Sequence, residues 1–173
     1  YINPTICPDD ATITIAGKEH FIVHANDNWQ KLEIEPLKKI TKDAENYNLN
    51  NRLYMSQCNL ADGWPDIYVG YTSEEKKIIH NARVENIIKT IVNADLIGCK
   101  YFLNYAGHAS AFVNNNDELK EITSFVSNDL VCEIANDISN IKILDMLPGD
   151  SFDFIQIKKQ FAGIKLDDRK IKE

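Results

Sequence analysis

Apolar residues recur at every second position early in the chain. Ile13 and Ile15 do so within residues 12–15, and Phe21 and Val23 within 21–24. That period marks half-buried strands, and Gly17 between the runs supplies a tight turn, so a hairpin is predicted. A third alternating run covers residues 29–34 after the Asn26-Asp27-Asn28 turn, and Pro36 is read as its end. Residues 37–50 are polar with sparse apolar positions and have room for a short helix. Leu53, Tyr54 and Met55 form a strand leading to Cys58. With the Asp62-Gly63 turn and the run from Ile67 to Tyr71, they predict a second hairpin.

The strongest helical signal follows. Val84, Ile87, Ile88 and Ile91 fall at i, i+3, i+4 and i+7, and Ile78 and Ile79 extend this stripe backwards. Thr72 and Glu75 have capping-box spacing, and Gly98 stands where a helix should stop. Residues 99–104 and 108–113 read as strands. Residues 117–138 form one or two helices with Leu119, Ile122, Phe125, Val126 and Leu130 inward. Residues 141–144 and 152–157 flank Pro148-Gly149-Asp150 as a third hairpin. The fold class expected is α+β: mostly antiparallel hairpins with a long amphipathic helix over about 73–95 and a second helical segment over about 117–138. A doubly wound parallel sheet is not expected. The units expected are a β-rich lobe over 1–71, a mixed lobe over 72–160 and a polar tail over 161–173, or one integrated domain.

Composition narrows the classes of function. The 173 residues are 44% hydrophobic and 26% charged, enough for a core and unlike a disordered chain. The net charge of −7 comes without a basic cluster, which argues against a nucleic-acid partner. No apolar run is long enough to span a bilayer. Cys7, Cys58, Cys99 and Cys132 form an even set without a CxxC pair, which points to two disulfides and a secreted or periplasmic setting, the signal peptide being absent from this sequence. Three pairings are open. The sequential one, Cys7–Cys58 and Cys99–Cys132, would staple each half separately, at about 3–4 kcal/mol per bridge.

Cys7-Pro8, the Gly17 turn, Trp29, and Cys58 with Gly63 and the run to Tyr71 resemble a family of short exported bacterial proteins of unknown function. The resemblance covers about the first 70 residues. It implies export, a small β-rich domain and a Cys7–Cys58 bridge, and no activity.

Candidate chemistry is sparse. Gly107-His108-Ala109-Ser110-Ala111-Phe112 resembles the histidine strand of papain-like cysteine peptidases and amidases. That implies Cys58 as nucleophile, His108 as its base and Asp145 as the group orienting the histidine. Against it, Cys58 sits in a strand and lacks the glycine and aromatic neighbours of such sites. His20 and His24 share a strand face and with Asp27 would offer a zinc or copper site. Asp145, Asp150 and Asp153 surround a turn that could hold calcium, but not with EF-hand spacing. Neither set is compelling, and no cofactor is expected. Trp64, Tyr68 and Tyr71 could line a binding platform. The reading reached is a non-enzymatic binding protein for an unknown protein or surface ligand, with the Cys58 hydrolase, a secreted effector, as the alternative.

Overall fold

The structure, a computed structural model, describes residues 2–4, 11–25, 34–58, 70–105, 128–146, 149–153 and 158–160. The elements are β1 (Ile2–Pro4), β2 (Ala11–Ala16), β3 (Phe21–His24), α1 (Ile34–Ala44), β4 (Arg52–Ser56), α2 (Ser73–Leu96), β5 (Tyr101–Asn104), α3 (Asn128–Ile138), β6 (Lys142–Leu144), β7 (Ser151–Asp153) and β8 (Lys158–Gln160). A 3₁₀ turn, Leu49–Asn51, leads into β4.

Strands β1 to β6 lie in sequence order in one sheet, and β7 pairs with β8 in a separate ribbon. The β1–β2 and β2–β3 pairs are antiparallel, while β3–β4, β4–β5 and β5–β6 are parallel. The first expected hairpin is present, closed by the Gly17 N–H donating to the His20 carbonyl at 2.9 Å. The other two are not formed as expected. β4 lies between parallel neighbours, and β6 pairs with β5 while β7 pairs with β8. The α+β composition stands, but mostly antiparallel pairing does not. A signal for this lay in the sequence: Leu53-Tyr54-Met55 and Tyr101-Phe102-Leu103 are unbroken apolar triplets, as strands covered on both faces require. The sheet is continuous across the expected lobe boundary at 71/72, since β4 pairs directly with β5.

From β3 to β6, strand and helix alternate, and the sheet grows in one direction. Right-handed crossovers then place the helices on a single face. The core agrees. Across the strands, Thr14, Val23, Tyr54, Phe102 and Ile143 form one row on that face. Val23, Tyr54 and Phe102 are buried in one cluster with Ile40 and Ala44 of α1, Ile87, Ile91 and Ala94 of α2, and Val131 and Ala135 of α3. The opposite face carries Ile15, Ile22, Leu53 and Tyr101, and there Phe152 of β7 packs on Tyr101 with ring centroids 4.9 Å apart. Ile13 and Ile15 on this face are 42% and 55% exposed.

Helix α2 starts as expected. The Thr72 hydroxyl accepts from the Glu75 N–H at 3.2 Å, and the Glu75 carboxylate accepts from the Thr72 N–H at 2.7 Å. Its stripe is shorter than expected: Ile87 and Ile91 are buried, but Ile78 is 62% exposed. Helix α1 replaces the end of the expected third strand. Pro36 is its third residue, where the missing N–H would have had no helical partner anyway, so the proline starts a helix instead of ending a strand. Of the second expected helical segment, residues 128–138 are α3, and 117–127 lie outside the described residues.

Arg52 closes the opposite end of the helical layer. Its Nε and Nη2 donate to the Tyr47 carbonyl at 3.1 and 2.6 Å, and its Nη1 donates to the Ile97 carbonyl at 3.0 Å. The guanidinium thus caps the chain at the ends of both α1 and α2. Gly98 makes room for it: its φ is +74°, and a Cβ there would stand 2.7 Å from Arg52 Nη1.

Candidate functional site

The carboxyl ends of parallel strands are where open α/β sheets place their ligands, because helix N-termini and loops converge there. In this chain β3, β4, β5 and β6 end together, and two of the expected site residues, Cys58 and Asp145, fall at that edge. The groups found there are Cys58 after β4, Asn104 and Tyr105 at the end of β5, Asn128 opening α3, and Asp145 after β6.

A hydrogen-bonded chain joins them. The Cys58 N–H donates to Asn104 Oδ1 at 3.1 Å, Asn104 Nδ2 donates to Asn128 Oδ1 at 2.9 Å, and Asn128 Nδ2 donates to Asp145 Oδ1 at 3.0 Å. Its direction is forced. A backbone N–H can only donate and an ionised carboxylate can only accept, so both amides must point the same way. Asn104 is 8% exposed and Asp145 is exposed, so the relay runs from the interior to solvent. On the other face of the same edge, the His24 ring stacks on Tyr105 with centroids 4.9 Å apart. The His24 Nδ1 is buried and has no hydrogen-bond partner among the described residues.

The thiols behave as core groups. Cys58 is 4% exposed, and burial pushes its thiol up to about 12. Burial does the same to Cys99, also to about 12, with Arg52 opposing in part. The Cys132 thiol is raised by its partial burial and by Asp129 and Asp145. Such shifts remove the thiolate that a nucleophile needs. Tyr54, stacked on Phe102 with centroids 5.8 Å apart, is also held protonated by burial, reinforced by Cys99, Cys58 and Tyr105.

Among the described residues, Cys58, Cys99 and Cys132 carry free thiols in the structure. Cys99 lies before β5, at the amino end of the sheet. Cys132 lies one turn into α3, within the field of Asp145, at the carboxyl end. Cys7, Trp64, Tyr68 and His108 lie outside the described residues. Tyr71 is exposed just ahead of α2. Of the hydrolase set, the structure brings Cys58 and Asp145 to one edge, linked through Asn104 and Asn128. For the metal candidates, Asp27 lies outside the described residues. Among the described residues, no group of three His, Cys, Asp or Glu side chains is placed to hold a metal ion. No helix among them is long and apolar enough to cross a membrane.

Asn104 and Asn128 were not singled out from sequence. Asparagine is abundant in this chain, and only the parallel order of β4, β5 and β6 makes these two adjacent. Comparisons of the chain with protein-family models, with curated proteins and with solved structures found no match.

Proposed function

We propose that this chain is a non-enzymatic binding protein whose ligand sits at the carboxyl edge of β4, β5 and β6. The observation that carries the reading is the directed relay from the Cys58 N–H through Asn104 and Asn128 to Asp145. It orients a polar surface in advance, which lowers the ordering cost of binding. It also engages the Cys58 backbone and leaves the thiol buried and neutral, which favours recognition over covalent chemistry. The reading places no weight on disulfides. A secreted or periplasmic location rests on the sequence alone.

One observation favours the cysteine-hydrolase alternative: Cys58 and Asp145, its expected nucleophile and orienting group, end at the same edge. Thiol alkylation of the native chain with iodoacetamide at pH 8, mapped by mass spectrometry, separates the two readings. The binding protein leaves Cys58 unmodified until denaturant is added. Fast, selective alkylation of native Cys58 refutes it in favour of the hydrolase.

A further inference from the structure

The two outer helices of the helical layer carry surfaces of opposite charge. Strand order and right-handed crossovers set α1, α2 and α3 side by side, so α2 stands between the other two. A groove of about 470 Å³ opens between α1 and the last turn of α2, lined by Leu37, Lys38, Thr41, Lys42, Glu45 and Leu96. Leu96 is 57% exposed. Lys38 and Lys42 are exposed and stand one four-residue step apart, about 6 Å along the helix. Lys42 has no ion pair among the described residues. Lys38 pairs with Glu35 at 2.9 Å, but both side chains are largely in solvent, so little is lost when it changes partner.

Helix α3 carries the complement. Asp129, Glu133 and Asp137 are exposed at four-residue spacing and have no ion pair among the described residues. Beside them run Leu130, Ile134 and Ile138. The first two pack against the core, whereas Ile138 is left 42% exposed. An acidic stripe ending at an exposed apolar side chain fits a groove with a basic rim and an apolar wall. Glu35 and Glu45 flank the two lysines and confine the basic stretch to one helical turn, the length that Glu133 and Asp137 span. Because α2 separates the two surfaces, they meet only between chains.

We propose that α3 of one copy of this chain docks in the α1–α2 groove of a second copy. Glu133 and Asp137 are set against Lys38 and Lys42, and Ile138 enters the groove beside Leu96. Different patches meet, so copies add head to tail, and the small contact makes the association weak. The groove lies at the carboxyl ends of α1 and α2, away from the ligand edge proposed above, so the two readings stand or fall separately.

The test is sedimentation velocity on the full chain from about 10 μM to 1 mM. The sedimentation coefficient of the wild type is expected to rise across that range. Two double variants follow, Lys38→Glu with Lys42→Glu, and Glu133→Lys with Asp137→Lys. Each alone sets like charges against one another and should weaken association at least about tenfold. An equimolar mixture of the two should restore it, because every docked pair is again opposite in sign. General attraction does not account for such a rescue: each double substitution moves the charge of −7 by four units, to −11 and −3, and both remain negative. Leu96→Ser should weaken association about three- to tenfold. All four charged positions are exposed, and circular dichroism checks that each variant is folded. A wild type that stays monomeric up to 1 mM overturns the proposal and leaves the groove to another occupant. Association that survives both double variants belongs to another surface, such as the exposed Ile13 and Ile15, and also overturns it. So does a mixture that fails to associate.

Discussion

Tyr54 offers the sharpest test of the packing described above. Its side chain is fully buried in the helical face of the sheet, and its hydroxyl has no hydrogen-bond partner among the described residues. Placing a hydroxyl in such a position costs about 1–3 kcal/mol. Replacing Tyr54 with Phe removes that cost and keeps the ring against Phe102. The void left by one oxygen, roughly 10 Å³, costs only about 0.2 kcal/mol at about 24 cal/mol per Å³. Tyr54→Phe should therefore stabilise the chain by about 1 kcal/mol or more. At a hydrogen-bonded tyrosine the same change would destabilise by about 1 kcal/mol, so the sign alone decides. Urea unfolding gives the readout: with m near 2 kcal/mol/M, the midpoint should rise by about 0.5 M at unchanged m. A lower midpoint for Tyr54→Phe refutes the argument and means that the hydroxyl is satisfied in solution.

Asn104→Ala should cost about 2–3 kcal/mol, because it strands both the Cys58 N–H and the Asn128 amide; a loss under about 0.5 kcal/mol in urea melts would show that the relay holds nothing together. Gly98→Ala should cost at least about 1 kcal/mol, since it combines a positive φ with a Cβ placed against the Arg52 guanidinium, and a neutral thermal melt would contradict this. Stability should fall as pH rises from about 9 towards 12. The folded state holds Cys58 and Cys99 protonated up to about 12 while the unfolded chain releases those protons, so the stabilisation is complete below the unfolded thiol range and is lost above it; a flat alkaline profile would argue against both burials. At the acid end the sign reverses. The Thr72 backbone and hydroxyl hold the Glu75 carboxyl below its usual range, so the capping contribution is present above the unfolded carboxylate range and lost as pH falls through the folded value. Thr72→Ala should cost about 1 kcal/mol near neutral pH, read from helical circular dichroism during melting.

Local signals are legible in the sequence, and long-range ones are not. The β2–β3 hairpin and the start of α2 each depend on residues within a few positions of one another: Gly17 between two alternating runs, and Thr72 with Glu75. Pro36 is ambiguous in the sequence because a proline ends a strand and opens a helix by the same property, its missing N–H. The turn at Asp62-Gly63 suggested a hairpin, but it carries no information about β3 and β5, the neighbours that β4 takes. The unbroken triplets Leu53-Tyr54-Met55 and Tyr101-Phe102-Leu103 did carry it. At the edge, Cys58 and Asp145 were noticed for their chemistry, while Asn104 and Asn128, which connect them, gained meaning only from strand order.

Arg52 has a consequence for how the chain unfolds. One guanidinium holds the carbonyl of Tyr47 after α1 and that of Ile97 after α2, two points 50 positions apart in the sequence. Neither helix end can fray without exposing a bond made by the same buried charge, so the two crossovers are coupled as one cooperative unit. Hydrogen exchange should then show the last turns of α1 and α2 opening together, with a common free energy, instead of as two independent ends.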